Sequence, residues 1–415
     1  MPESDAQSII ARHDQFMSLN YPRYPVAMVR GQGCRLTDAD GKHYIDLFSS
    51  FGATILGHCH PALVEAVNHQ AGLLWHAGNL LHTEPQTRVA EAIARHGFGG
   101  RSFFCHSGAD ANEAAIKLAR LHGGARPGPR GQRIKVISAT RSFHGRTFGT
   151  MPATGESKVS EGFGPMAPGF VNVPYNDLAA VAAQIDDEAV AVLVEPIQGE
   201  GGVQVPDDSY LPGLRTLCDR HDMLLICDEV WTGCGRTGRF FAHQHWNVEP
   251  DVMTLGKGMG AGLPVAVMCA KPHVAELYDA RKQGGVKHAS TLGGNCLAMA
   301  VAAALFQTLE RDDLVGRAQR LGATTMDRLR AMGQRCPAIK SVRGKGLFIG
   351  VELDLDGAWF SQVGQLVEKC LEAGLIVNGT QQTVLRLAPA IVVEEETLDE
   401  GLSVLERVLV SGGPA

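Results

Sequence analysis

Thr254-Leu255-Gly256-Lys257-Gly258-Met259-Gly260-Ala261-Gly262 places a single amine among glycines directly after an apolar run, with Cys227-Asp228-Glu229-Val230 upstream. An isolated lysine in such a notch suits Schiff-base chemistry with an aldehyde cofactor, and an aspartate at a strand end is what a pyridinium nitrogen needs as a partner. Neither residue says this alone, since most surface lysines are solvated and Gly-Lys-Gly is common in turns. Together they make the region around Lys257 the place from which to read the rest of the chain.

Outward from it, short β-branched or apolar runs recur at residues 134–138, 170–173, 190–194, 223–227, 252–255 and 264–270. Near-continuous apolar strands separated by helical patterns imply a mostly parallel sheet covered on both faces, an α/β core. A helix is readable over 112–121, where Ala115, Ile116, Leu118 and Ala119 form an apolar stripe beside Lys117 and Arg120. Before residue 60 the pattern turns to hairpin-like pieces, with residues 37–42 as a turn. After about residue 305 it changes again, to a long helix over 314–332 and strands at 349–353 and 385–387. The expected division is therefore 1–60, an N-terminal segment joining a small domain; 61–305, a large cofactor-binding domain; and 306–415, the rest of a smaller α+β domain. The Gly/Pro-rich stretch 123–131 reads as a surface loop, because the sheet pattern resumes straight after it.

The 415 residues are 45% hydrophobic and 20% charged, ordinary for a soluble protein with a sizeable core. A net charge of −6, with basic and acidic residues mixed, offers no basic stripe to nucleic acid. The amino terminus is acidic and polar rather than signal-like, and the apolar run 296–306 is too short to span a bilayer, so a cytoplasmic protein without membrane partners is expected. Ten scattered cysteines with no Cys-x-x-Cys pair suggest reduced thiols in core positions.

Three further segments bear on the chemistry. Ser107-Gly108-Ala109-Asp110 lies between a strand-like 102–105 and a good helix, so its small residues let an anion approach the helix N-terminus. On its own it reads as a plain N-cap using Ser107 or Asp110; the company of Asp228 and Lys257 turns it into a phosphate seat, and the three together propose a pyridoxal-phosphate enzyme. Ser142-Phe143-His144-Gly145-Arg146-Thr147 offers a ring to stack on a planar cofactor and a guanidinium to grip a carboxylate, against the alternative of core packing and a solvated arginine. Arg386, inside an apolar run, is costly to bury unless it meets a carboxylate, and Glu200 in Glu195-Pro196-Ile197-Gln198-Gly199-Glu200 is the suggested partner; the alternative is a solvated strand face.

Beyond these readings, the chain resembles the class III aminotransferases of pyridoxal-phosphate fold type I, in their acetylornithine/ornithine branch. The likeness rests on collinear stretches from about residue 30 to residue 390, among them Asn79-Leu80-Leu81-His82-Thr83-Glu84-Pro85-Gln86, His106-Ser107-Gly108-Ala109-Asp110, Ser142-Phe143-His144-Gly145-Arg146-Thr147, Asp228-Glu229-Val230, Gly235-Arg236-Thr237-Gly238, Thr254-Leu255-Gly256-Lys257 and Thr291-Leu292-Gly293-Gly294-Asn295. The resemblance implies catalytic roles for Lys257, as Schiff-base and proton-shuttling residue, and for Asp228, at the pyridine nitrogen. It implies phosphate contacts from Ser107, Gly108 and Ala109, ring contacts from Phe143 and Val230, and Thr291 reaching the phosphate of a neighbouring subunit, hence a homodimer with active sites at its interface. Arg146 and Arg386 would bind substrate carboxylates, with Glu200 pairing Arg386 when the donor presents a side-chain amine. The implied reaction moves the ω-amino group of N-acetyl-L-ornithine to 2-oxoglutarate by ping-pong turnover. Ornithine, succinylornithine, succinyl-diaminopimelate or 4-aminobutyrate as donor, and an aminomutase or decarboxylase on the same scaffold, are the alternatives.

The chain departs from that pattern at three places. Trp231 stands where the family has a glutamine that contacts the cofactor's ring hydroxyl; an indole can donate one hydrogen bond but is much larger. Phe51 and Arg35 stand where ornithine aminotransferases carry pocket tyrosines, which points toward an acylated donor. Gly233-Cys234-Gly235-Arg236-Thr237-Gly238 matches a dinucleotide fingerprint by letter but does not open from a strand into an apolar helix. His58-Cys59-His60 lacks further ligands at metal-site spacing and reads as a turn before a helix at Pro61, so no metal is expected.

Overall fold

The computed structural model describes residues 5–356 and 358–411; the first four residues of the polar amino terminus lie outside them. Strands β1 (Met28–Gln32), β2 (Arg35–Asp38) and β3 (His43–Asp46) form an antiparallel meander, with the expected turn between β2 and β3. The centre of the molecule is a seven-stranded sheet of β4 (Arg101–Cys105), β5 (Lys135–Ala139), β6 (Phe170–Val173), β7 (Ala189–Val194), β8 (Leu224–Asp228), β9 (Val252–Leu255) and β10 (Ala266–Ala270), in the order β4-β10-β9-β8-β7-β5-β6. Toward the carboxyl end, β11 (Ile339–Lys345), β12 (Phe348–Leu353), β14 (Asn378–Thr380) and β15 (Val384–Leu387) make a second antiparallel sheet, while β13 (Leu375–Ile376) pairs parallel with β3 and so ties the two ends of the chain together.

The central strands are apolar on both sides because both sides are covered. Every residue of β7, Ala-Val-Ala-Val-Leu-Val, is buried. Val190 and Leu193 pack with Ala115, Leu118 and Ala119 of helix Gly108–Ala125, and Val192 and Val194 with Leu211 and Leu214 of helix Tyr210–Arg220. Each such side chain contributes about 1.5–3 kcal/mol of transfer free energy. Five of the strands, β5 to β9, run parallel, whereas the run at 264–270 differs from the parallel expectation: β10 is antiparallel to both β9 and β4. An apolar run carries no information about direction, so the reversal is invisible in the sequence. The helix expected from residue 112 begins at Gly108, where Ser107 and Asp110 form a reciprocal capping box.

Direction decides where the site is. Asp228 ends β8 in register with Thr254 of β9, which puts Lys257, just past the end of β9, at the same edge. The carboxyl ends of β4, β5 and β7 open there too, and in sheets of this kind ligands bind outside those ends. Among the described residues no helix is long and apolar enough to cross a membrane.

Candidate active site

A cavity of about 290 Å³ opens at this edge, lined by Gly108, Ala109, Phe143, Arg146, Glu200, Asp228, Val230, Trp231 and Lys257 among others. Its floor is a hydrogen-bonded carboxylate. Asp228 Oδ2 accepts from Asn112 Nδ2 at 2.7 Å and lies 2.7 Å from His144 Nδ1, while Oδ1 accepts the Val230 N–H at 3.0 Å. Asn112 is oriented in turn: it donates to the His144 carbonyl at 2.8 Å and accepts from Thr254 Oγ1 at 2.8 Å. Asp228 and His144 are almost wholly buried, and His144 Nε2 has no hydrogen-bond partner. Nearby, Glu195 accepts the N–H groups of Phe143 and Gly199 at 3.0 and 3.1 Å, and burial pushes its carboxyl up to about 7. His144, Glu195 and Asp228 each bring one possible metal-ligand atom within 4.8 Å of the others, but their inward atoms are engaged with one another, with Asn112 or with backbone N–H groups.

Lys257 stands over this floor in a left-handed conformation, φ 44°, which a non-glycine residue adopts only when its surroundings hold it there. Its ammonium lies 3.9 Å from the centre of the Trp231 ring and has no hydrogen-bond or ion-pair partner among the described residues. Burial lowers its pKa against the opposing pull of Glu200, Asp228 and Glu195, which favours the neutral, nucleophilic amine. The backbone is tight here by necessity: a Cβ on Gly108 would meet Val230 Cγ1 at 2.6 Å, and one on Gly256 would meet the same atom at 3.1 Å.

The first helical turn at Gly108 and Ala109 faces the cavity. N–H groups there have no intrahelical acceptor, and the capping box takes up that of Asp110, so the turn presents donors and the positive end of the helix dipole to an anion. A buried carboxylate, an amine without a polar partner and an anion-binding helix start, joined by the flat side chains Phe143 and Trp231, are the donor set that fits the ring nitrogen, aldehyde and phosphate of pyridoxal phosphate.

Behind the cavity wall that Glu200 and Trp231 form, and not itself part of the lining, Arg386 from β15 is 2% exposed. Its Nη1 lies 3.2 Å from Glu200 Oε1 and donates to the Gly199 carbonyl at 3.0 Å, and Nε donates to Asn378 Oδ1 at 2.9 Å. Asn378 and Arg386 are register partners of β14 and β15, so the strand pairing itself aims the guanidinium. Arg146 is exposed at the rim, its guanidinium 5.6 Å from the centre of the Phe143 ring, with no carboxylate within ion-pair distance among the described residues.

Ser107 and Thr291, the latter expected to serve a neighbouring subunit, do not line this cavity. Thr291 is exposed on a loop that Asn79 holds through the carbonyls of Ser290 and Gly293, and Ser107 spends its hydroxyl on Asp110 at 2.9 Å. Arg35, expected near the pocket, instead pairs with Glu400 at 2.6 Å, because the β2 alternation turns it outward toward helix Glu395–Ser411. Residues that the sequence reading left without a role are Asn112, His144, Glu195 and Asn378. A signal existed for Asn112, a polar residue on an otherwise buried alanine-rich helix face, and for Glu195, at the end of an apolar strand. His144 and Asn378 carry no comparable mark.

The model of the family "Aminotransferase class-III" matches residues 16–409. The acetylornithine aminotransferase of Caldanaerobacter subterraneus subsp. tengcongensis is 42% identical over 97% of this chain and 99% of its own length, and that of Pseudomonas putida 41% identical over 97% of each. Among solved structures, the ornithine aminotransferase of Toxoplasma gondii superposes with a TM-score of 0.92 at 32% identity, covering 99% of this chain and 96% of that one. The N-acetylornithine aminotransferase of Stenotrophomonas maltophilia gives 0.82 at 33% identity, covering 97% and 99%. Fold, cavity and sequence thus agree, and the chain belongs to the class III aminotransferases, the pyridoxal-phosphate-dependent enzymes of fold type I.

Proposed function

We propose that this enzyme moves the ω-amino group of N-acetyl-L-ornithine to 2-oxoglutarate, giving N-acetylglutamate semialdehyde and glutamate in two alternating half-reactions, a step of arginine biosynthesis. The observation that carries the reading is the contact at 3.2 Å between Arg386 and Glu200, which lines the same cavity as Lys257. A donor reacting through a side-chain amine presents no carboxylate at the wall where Arg386 sits, and Glu200 then neutralises the arginine. Glutamate or 2-oxoglutarate brings a carboxylate that takes the place of Glu200. One pocket thereby serves both substrates, as a ping-pong enzyme requires. The names of the relatives favour N-acetylornithine, and Phe51, which has no hydroxyl for a free α-amine, favours it over ornithine.

Bound at this site, pyridoxal phosphate supplies an electron sink for the carbanion left when the substrate's reacting carbon loses its proton. Lys257 Nζ would take that proton and pass it to the cofactor. Asp228, fixed by Asn112 and His144, would hold the ring nitrogen protonated. Gly108 and Ala109 would give N–H groups to the phosphate with Ser107 beside them, Phe143 and Val230 would contact the ring, and Arg146 would bind the donor's α-carboxylate at the rim. Thr291 reaches the phosphate of a second copy of the chain. Leu73, Leu74, Trp75, Leu80, Leu81 and Leu292 are exposed apolar side chains, several in the same part of the sequence as Asn79, which holds the Thr291 loop. An exposed apolar patch of this kind, which a second subunit would cover, supports a homodimer. The free cysteines, nine of the ten buried, support a reducing, cytoplasmic setting. The division at residues 60 and 305 is supported by the strand topology, in which β3 and β13 join the two ends.

Mixing the purified holoenzyme with glutamate tests the first half-reaction: stoichiometric release of 2-oxoglutarate is expected. A panel of N-acetylornithine, ornithine, succinylornithine and 4-aminobutyrate against 2-oxoglutarate then ranks the donors, and a higher kcat/KM for any other amine would overturn the assignment.

A further inference from the structure

Arg386 poses an electrostatic problem that Glu200 solves only half the time. A guanidinium that is 2% exposed needs a counter-charge, and when Glu200 turns away the polar partners left are neutral, the Asn378 amide and the Gly199 carbonyl. Aromatic rings surround it instead. The guanidinium carbon lies 4.7 Å from the centre of the Trp231 ring, 5.6 Å from Phe48 and 6.0 Å from Phe51. The three rings also pack on one another, Phe48 on Phe51 at 4.8 Å and each on Trp231 at 6.1 Å. All are within the range at which a ring face attracts a cation.

The slot that holds Trp231 fits the indole closely. A Cβ on Gly52 would lie 2.6 Å from its Nε1, and one on Gly199 would lie 2.3 Å from its Cε3. Nε1 itself finds no hydrogen-bond partner among the described residues, so the ring is held by shape rather than by its polar edge. The same ring has its centre 3.9 Å from the Lys257 ammonium. Trp231 therefore stands between the amine that does the chemistry and the arginine that receives the carboxylate.

We propose that Phe48, Phe51 and Trp231 form an aromatic box, with Trp231 as its main wall, that keeps Arg386 aimed at the substrate carboxylate while Glu200 is disengaged. The three are positioning residues for the glutamate/2-oxoglutarate half-reaction, and the inference rests on the Glu200–Arg386 exchange proposed above. Removing the π face weakens binding of carboxylates that displace Glu200. The loss falls less heavily on the half-reaction in which Glu200 stays paired.

Glutarate, a dicarboxylate that cannot react, is the probe. Titrated calorimetrically into the holoenzyme, it should bind Trp231→Leu about tenfold more weakly than the unaltered protein, while Trp231→Phe recovers most of the loss. KM for glutamate should rise in parallel in Trp231→Leu, and by a larger factor than KM for N-acetylornithine. An unchanged glutarate Kd in Trp231→Leu, a Phe variant as weak as the Leu variant, or an equal loss in both half-reactions would overturn the proposal. Should Trp231→Leu not fold, as judged by circular dichroism, Phe51→Leu on the exposed side of the box carries the test, with an expected two- to threefold rise in the glutarate Kd and no change as the overturning result. If the unaltered holoenzyme gives no 2-oxoglutarate from glutamate, it is the substrate exchange itself that fails.

Discussion

The two ends of the cavity hold their charges in opposite ways. At the floor, both Asp228 oxygens are engaged with side chains or backbone, and the partner Asn112 is itself oriented by Thr254. At the far end, beyond Trp231, Arg386 lies against aromatic faces, and Glu200, the one carboxylate within ion-pair distance of it among the described residues, is partly exposed. Directional bonds fix a group in one place, whereas a ring face tolerates a change of counter-ion. The floor serves a part of the reaction that never changes, and the wall serves one that alternates between two substrates.

The hardest blow to this arrangement falls on the amine common to both half-reactions. Lys257→Ala should lower kcat by at least about 10⁴-fold, with cofactor retained only non-covalently, so that borohydride treatment and peptide mapping find no label at position 257. Breaking the floor comes next: Asp228→Asn should cost about 3 kcal/mol of transition-state stabilisation, roughly 10²-fold in kcat/KM for both substrates alike, in steady-state assays of each half-reaction. An effect confined to one substrate would erase the distinction between floor and wall. A wall substitution should do what a floor substitution cannot, namely separate the substrates. Glu200→Ala should shift the ratio of kcat/KM values by about tenfold in favour of glutamate over N-acetylornithine, because Arg386 then stays open to carboxylates.

The smallest expected effect lies behind the floor. Burial lowers His243 to about 4, and its Nδ1 lies 2.6 Å from the Val248 carbonyl. The unfolded chain takes up a proton near pH 6.5 and the folded protein only near pH 4, so this histidine's contribution to stability is complete above the higher value and is lost as pH falls between the two. The melting temperature should drop over that window, and His243→Gln should flatten the drop while leaving the substrate ratio untouched.

The strands β5 to β9 are legible in the sequence because each is a short apolar run, and Lys257, Asp228 and Gly108 because glycines and strand ends surround them. The direction of β10 is not, since direction depends on contacts with β4 and β9 that lie far away in sequence. Arg386 is readable as a charge that needs a partner within an apolar run. Its aromatic neighbours are not, because Phe48 and Phe51 come from the N-terminal segment and Trp231 from the loop after β8, and nothing local links them. Thr291, whose expected target belongs to a neighbouring subunit, is exposed on its loop, and Arg35, a departure from the family's tyrosine, pairs with Glu400.

The glycines at 52 and 199 have a consequence for how this protein can diverge. With the indole wedged between them, a methyl added at either position collides with ring atoms at less than 3 Å, so the three sites are interlocked. A smaller residue at 231 would have to come first and would release position 199 alone, because Gly52 has φ 80° and favours glycine whatever stands beside it. The order of substitutions along a lineage, or in a directed-evolution campaign, is thereby constrained by sterics alone.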